Sequence, residues 1–93
     1  MTEDVHLERD KQLAPYLLAA SFSGFIEFNG SYSKNGILYW RFSPKNNAEL
    51  LVEQFHTRTA PSIQAKDFFD AIDTFWKTVA NLRNGENSYA SGN

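Results

Sequence analysis

The chain has 93 residues, of which 42% are apolar, 22% charged and 15% aromatic, and its net charge is −2. This length predicts a single domain, and the slightly acidic balance argues against a protein that binds DNA by general electrostatic attraction. Because there is no cysteine and no apolar run long enough to span a bilayer, the sequence excludes disulfides and thiolate chemistry and predicts no transmembrane helix.

The N-terminal part predicts an arm followed by a helix. Residues 1–9 contain few apolar side chains, which is typical of a flexible acidic arm. Asp10 has a side chain suited to the N-cap of a helix over about residues 11–21. Pro15 lies in or just after the first turn, where its missing N–H costs least. One stripe of this helix carries Leu13, Tyr16, Leu17 and Ala20.

Residues 25–42 predict a β-hairpin, because apolar and aromatic residues alternate with polar ones on both sides of a polar turn. A two-residue Asn35-Gly36 turn would place four polar residues of the first strand on the same face as Trp40. A three-residue loop pairs Ser33 with Ile37 and avoids this. Since each unpaired buried polar group costs about 1–3 kcal/mol, we expect the three-residue loop. Its inward pairs are Tyr32 with Leu38, Gly30 with Trp40 and Phe28 with Phe42.

The second half predicts two helices joined by a link. Asn46, with Glu49 three residues on, resembles a capping box and predicts a helix over about 47–56. The link at 57–63 contains a proline, and the sequence leaves open whether part of it adds a third strand. A final helix is indicated by an apolar stripe formed by Phe68, Ile72, Phe75, Val79 and Leu82.

The chain is predicted to end in a disordered tail. Asn84-Gly85 is a C-terminal stop signal for the last helix, and residues 85–93 show no apolar pattern. The fold class is therefore α+β, with a small single domain over 10–84 in the order α-β-β-α-(β)-α. We expect the antiparallel hairpin to pack on the helices, with the final helix lying across its tryptophan-bearing side.

Four segments of the chain together follow a pattern seen in one family. They are Asp10 with LAPYLLA, NGILYWRF, ELLVEQF and SIQAKDFFDAI. In this pattern the chain resembles a small uncharacterised α/β domain family of bacteria, phages and mobile elements. The resemblance implies a fold and brings no activity with it.

Residues able to carry out catalysis are few. His6 lies in the acidic arm, and His56 ends the second helix, where a cation interacts favourably with the helix dipole. Three carboxylates share a face of the last helix at three-residue steps, as expected for its solvated side: Asp67, Asp70 and Asp73. No nucleotide-binding or hydrolase motif is present. We therefore expect no catalytic activity, no cofactor and no metal site.

Two surfaces are candidates for binding. Single-stranded nucleic acid is held by aromatic stacking beside basic groups, and the outer hairpin face with its surroundings offers Phe25, Lys34, Tyr39, Arg41 and Arg58. On the last helix, Phe69 and Trp76 widen the apolar stripe beyond what one hairpin covers. Either a second copy or a partner protein buries these two rings, or the first helix covers them within the monomer.

These observations predict a small cytoplasmic, non-catalytic interaction or accessory domain. Its partner is a second copy, giving a homodimer, or another protein, and no membrane is involved. The alternative function is single-stranded nucleic-acid binding through the outer hairpin face.

Overall fold

The computed structural model of the protein describes residues 4–90, with side chains up to residue 82. Its elements are β1 (His6–Glu8), α1 (Leu13–Phe22), β2 (Glu27–Lys34), β3 (Ile37–Ser43), α2 (Lys45–Thr57) and α3 (Ala65–Ala90). The three strands form one antiparallel sheet in the order β1-β3-β2, and helices cover one face of it. The predicted small α+β class is confirmed. Among residues 4–90, no helix has the length and apolar character needed to cross a bilayer.

The third strand comes from the N-terminal segment. His6–Glu8 pairs with β3, so this part of the predicted flexible arm is ordered backbone in the sheet. The Asp4 carboxylate also accepts a 2.9 Å hydrogen bond from the Lys45 amide, the first amide of α2. Residues 59–64, where the sequence left a strand open, have no regular secondary structure.

The hairpin turn has two residues, and the prediction of a three-residue loop is wrong. Lys34 pairs with Ile37, and Asn35 and Gly36 both have positive φ angles, 54° and 79°. An Asn-Gly pair adopts this conformation readily, and its twist matches that of the two strands.

Phe28 is 36% exposed, but it lies on the same face of the sheet as Phe42, and the extra residue that this requires is in the strand instead of the turn. A bulge between Phe28 and Ser31 restores the predicted pairing of Phe28 with Phe42. Gly30 lies in the bulge with φ 97°, a conformation that favours glycine. Between bulge and turn the faces are reversed relative to the prediction, because Ser31 pairs with Trp40 and Tyr32 with Tyr39. Tyr32 is therefore on the outer face.

Helix α1 is the centre of the core. Every residue from Leu13 to Ala20 is buried, as expected for a helix that is apolar on all sides. The N-cap position of α1 is Gln12 and not the predicted Asp10, but the Asp10 carboxylate still acts there: its Oδ1 accepts hydrogen bonds from the amides of Gln12 (2.8 Å) and Leu13 (2.9 Å). These two amides have no partner within the helix, so the carboxylate stabilises the start of α1.

The inner face of the sheet contributes two large aromatic side chains to the core. Trp40 is 1% exposed and Phe42 is fully buried, so the tryptophan-bearing face points inward as predicted. The helix arrangement differs from the prediction, because α3 packs mainly along α1 and does not lie across the hairpin. It reaches the sheet where Phe75 stacks on Trp40, with ring centroids 5.1 Å apart.

The ends of α2 and α3 differ from the sequence prediction. Helix α2 begins at Lys45 after Pro44, so Asn46 lies inside the helix and forms no capping box. Helix α3 continues past Asn84-Gly85 to Ala90, because a glycine is tolerated within a helix at a cost of about 1 kcal/mol. The end of the predicted tail, residues 91–93, lies outside the described residues.

Candidate functional site

A group of large apolar side chains on α3 is exposed to solvent. Phe69 is 72% exposed and Trp76 is 50% exposed, and two neighbours on the same side of the helix, Phe68 and Ile72, are each 36% exposed. We call these four residues the α3 aromatic face. Helix α1 does not cover Phe69 and Trp76, because α3 turns its buried residues, Ala71 and Phe75, toward the core.

Two grooves border the α3 aromatic face, and Trp76 and Lys11 belong to both of them. The larger groove, of about 370 Å³, lies between the start of α1 and α3. Its apolar walls are Pro15, Phe55, Phe68, Ile72 and Trp76. The smaller groove, of about 180 Å³, lies where β3 meets α3 and also includes Arg9. The Trp76 side chain therefore forms a wall shared by two apolar recesses.

The charges beside the α3 aromatic face fall into two groups. Along α3, Lys66 and Asp70 form an ion pair (3.0 Å), as do Lys77 and Asp73 (2.9 Å). Each is an exposed i,i+4 pair worth about 0.2–0.5 kcal/mol.

The cations of the grooves differ from those of α3. Among the described side chains, those of residues 4–82, no carboxylate forms an ion pair with Arg9 or Lys11. Two carboxylates are adjacent in sequence: Glu8 lies 2.8 Å from the His6 ring nitrogen, and Asp10 accepts hydrogen bonds from the amides of Gln12 and Leu13 at the start of α1. These hydrogen bonds lower the pKa of Asp10 below 3.8, so it is ionised at neutral pH. Among the side chains of residues 4–82, the two cations that border the grooves are therefore outside any ion pair, while the Lys11 charge also helps to lower the pKa of Asp10.

The outer face of the sheet carries a second cluster. Tyr32 and Tyr39 stack with ring centroids 5.5 Å apart, and the Arg41 guanidinium lies 5.8 Å from the Tyr32 ring centroid. Arg41 Nη2 donates a 2.7 Å hydrogen bond to the Asn29 carbonyl in the bulge. Leu7, opposite Arg41 on β1, is 47% exposed. The cluster is a fixed cation beside two tyrosine rings.

The sheet brings together only three of the five predicted nucleic-acid residues. Lys34, Tyr39 and Arg41 share the outer face. Phe25 borders a groove with residues of α2, and Arg58 follows the last residue of α2 with φ 63°, so neither lies on a strand of the outer face. Both are corrections to the predicted surface, because strand alternation in the sequence does not indicate on which side of the sheet the flanking segments lie.

Sequence reasoning missed Tyr32, because the three-residue loop assigned it to the core. The Asn35-Gly36 pair was the available signal, since this dipeptide favours a two-residue turn. Lys11 was also missed: it meets Trp76 only through the packing of α1 on α3, and no sequence pattern indicates this.

The histidines and one of the α3 carboxylates singled out in the sequence have contacts within the fold. His6 Nε2 and Glu8 Oε1 are 2.8 Å apart, and Glu8 also accepts a hydrogen bond from the Asp10 amide. Asp67 accepts a 2.7 Å hydrogen bond from the Ser23 hydroxyl. His56 packs with its ring edge against a phenylalanine at the end of α2. The described residues contain no group of three or more histidines and carboxylates able to hold a metal ion.

Comparisons with protein-family models, with curated proteins and with solved structures gave no match, so the resemblance to the uncharacterised family of bacteria, phages and mobile elements stays a prediction.

Proposed function

We propose that this domain is a non-catalytic interaction module that binds a polypeptide through the α3 aromatic face. The observation that carries the proposal is the 72% exposure of Phe69, next to a Trp76 that is half exposed. Exposed aromatic side chains grouped on one helix mark interaction surfaces in small proteins, whereas single exposed apolar residues are common. A cytoplasmic location is part of the proposal.

The size of the two exposed rings indicates how strong such binding can be. An aromatic side chain buries about 150–250 Å², so the exposed parts of Phe69 and Trp76 amount to roughly 250 Å². At about 25 cal/mol per Å², covering them contributes about 6 kcal/mol. Association itself costs about 4–15 kcal/mol, so Phe68, Ile72 and the grooves have to contribute as well. The partner must therefore cover the whole face.

The experiment is site-specific photo-crosslinking in cells of the source organism. A photoreactive amino acid at position 69 is expected to capture one defined polypeptide, either a second copy or another protein. The matched control is position 50, because Leu50 is 52% exposed on α2, away from the α3 aromatic face. Adding Trp76→Ala should abolish capture from position 69.

Sedimentation of the purified protein distinguishes the two kinds of partner. A homodimer is expected to dissociate on Phe69→Ser and to be unaffected by Leu50→Ser. A strictly monomeric mass, together with equal background crosslinking from positions 69 and 50, would show that the α3 aromatic face is not an interaction surface.

A second candidate function is single-stranded nucleic-acid binding through the outer face of the sheet. The observation that favours it is the position of Arg41 beside the stacked rings of Tyr32 and Tyr39. A hydrogen bond from its guanidinium to the Asn29 carbonyl fixes this position. A base stacked on an aromatic ring contributes about 1–3 kcal/mol. Binding of a fluorescent oligonucleotide should weaken with added salt and with Tyr32→Ala, but not with Phe69→Ala. Absence of binding at low ionic strength would remove this candidate.

A further inference from the structure

We propose that the natural partner of the α3 aromatic face is an acidic amphipathic helix that places one apolar side chain in each groove beside Trp76. This inference rests on the proposed function, and it specifies the chemistry of the bound segment.

The shape of the site requires two apolar anchors. The Trp76 side chain lines both grooves, so an occupant of one lies beside the other. Their walls are aromatic and aliphatic, so they favour hydrocarbon side chains and offer few polar groups to a base edge. An amphipathic helix carries apolar side chains three and four residues apart on one face, which suits neighbouring recesses of this kind.

The charge of the site requires an acidic partner. Arg9 borders the smaller groove and Lys11 borders both, and neither forms an ion pair with a described side chain, that is, within residues 4–82. The lysines of α3 are already paired with Asp70 and Asp73. Glutamate or aspartate residues flanking the apolar anchors would therefore meet two cations that have no ion-pair partner among the side chains of residues 4–82, at the edge of the interface, where charge mainly governs association rate and specificity.

The same charges disfavour a second copy as the occupant. In a twofold contact centred on Trp76, each surface meets its own copy, so Arg9 and Lys11 of both molecules would approach the same axis. Like charges brought together in this way reduce affinity. A different protein with an acidic segment avoids this repulsion and still covers the α3 aromatic face.

The test is selection from a displayed library of helical peptides, in which apolar and charged positions vary independently. The wild-type domain is expected to enrich peptides with apolar residues three or four positions apart and with flanking glutamate or aspartate. The double variant Arg9→Glu/Lys11→Glu should enrich lysine and arginine at the flanking positions, with the apolar positions unchanged. It should bind the wild-type peptides at least tenfold more weakly.

The charge-reversed variant is suitable because both side chains are exposed, and a glutamate in the first turn before α1 is favourable to the helix. A small loss of thermal stability is expected, because Lys11 helps to lower the pKa of Asp10, so binding is compared at a temperature where both proteins are folded. The control Trp76→Ala should enrich no peptide class.

Each remaining outcome refutes a specific part of the reasoning. If the wild type enriched apolar peptides without acidic residues, or if the charge-reversed variant enriched the same peptides as the wild type, the inference would be overturned and the proposed function would stay intact. Failure to enrich any peptide, combined with specific crosslinking from position 69 to a second copy, would also overturn the inference alone. Failure of both peptide selection and crosslinking would overturn the proposed function. Displacement of selected peptides by single-stranded oligonucleotides would assign the groove to nucleic acid and refute the inference.

Discussion

The carboxylate of Asp10 should control the stability of the whole domain, because it caps the helix at the centre of the core. Asp10→Ala removes two hydrogen bonds of 2.8 and 2.9 Å and leaves two amides of α1 without a partner. Loss of an N-cap costs about 1 kcal/mol, and up to about 2 kcal/mol. For a domain of this size, each kcal/mol lowers Tm by about 4–8 °C. Urea unfolding and calorimetry measure both quantities.

Asp10→Asn is the matched control, because asparagine keeps the acceptor oxygen and loses only the charge. We expect it to retain more than half of the stability that Asp10→Ala loses at neutral pH. The two hydrogen bonds lower the pKa of Asp10 in the folded protein below 3.8, its unfolded value. The contribution of its charge is therefore complete above pH 3.8 and is lost as pH falls through the folded pKa.

The difference in unfolding free energy between wild type and Asp10→Asn should accordingly be constant from neutral pH down to that region and then disappear. Two results would refute this reasoning. One is an Asp10→Ala variant as stable as the wild type. The other is an unchanged difference between wild type and Asp10→Asn well below pH 3.8.

Three further predictions concern single positions. Gly30→Ala should destabilise the domain by about 1–2 kcal/mol in urea unfolding, because its φ is +97° and the new Cβ would lie 3.2 Å from a guanidinium nitrogen. Gly24→Ala is the control: its φ is +89° but no atom lies near the new Cβ, so its loss of unfolding free energy should be smaller. If Gly30→Ala lost no more stability than Gly24→Ala, the packing argument would be wrong. The Tyr16 hydroxyl is buried without a partner among the described residues, and burial raises its pKa above 10.0. Tyr16→Phe should leave stability unchanged or increase it by up to about 1 kcal/mol, and should reduce the loss of stability that the wild type shows above pH 10.0. Trp40→Ala should cost about 3–5 kcal/mol, whereas Trp76→Ala should cost far less because its ring is half exposed; similar losses would show that the burial of the two rings is misassigned.

The features that the sequence predicted well are those that depend on local pattern. The alternation around Trp40 identified the inward face of β3, and the spacing of apolar residues indicated all three helices. Asp10 was recognised because capping is a short-range interaction. For Phe69 and Trp76 the sequence left two alternatives, burial by α1 within the monomer or exposure to a partner. The choice depended on how α1 and α3 pack, which no local pattern indicates.

The features that the sequence missed depend on contacts between distant segments. Strand β1 has only three residues and no apolar alternation, so only its pairing with β3 makes it a strand. The extra residue of the hairpin was placed at the turn, although a bulge at Gly30 meets the same requirement for Phe28. The cost of burying polar side chains did not distinguish a longer turn from a bulge. Ser31 lies opposite Trp40 but is only half-buried, so placing it on the inner face costs little.

The bulge also affects how the sheet can grow. Strand β2 is an edge strand, and its backbone ladder is interrupted between Phe28 and Ser31. A long regular edge is a template for strand addition and amyloid-like aggregation, and irregular edges prevent it. At the opposite edge, β1 spans only three residues, too few to hold an added strand firmly. Both edges of the sheet are therefore poor templates for an added strand.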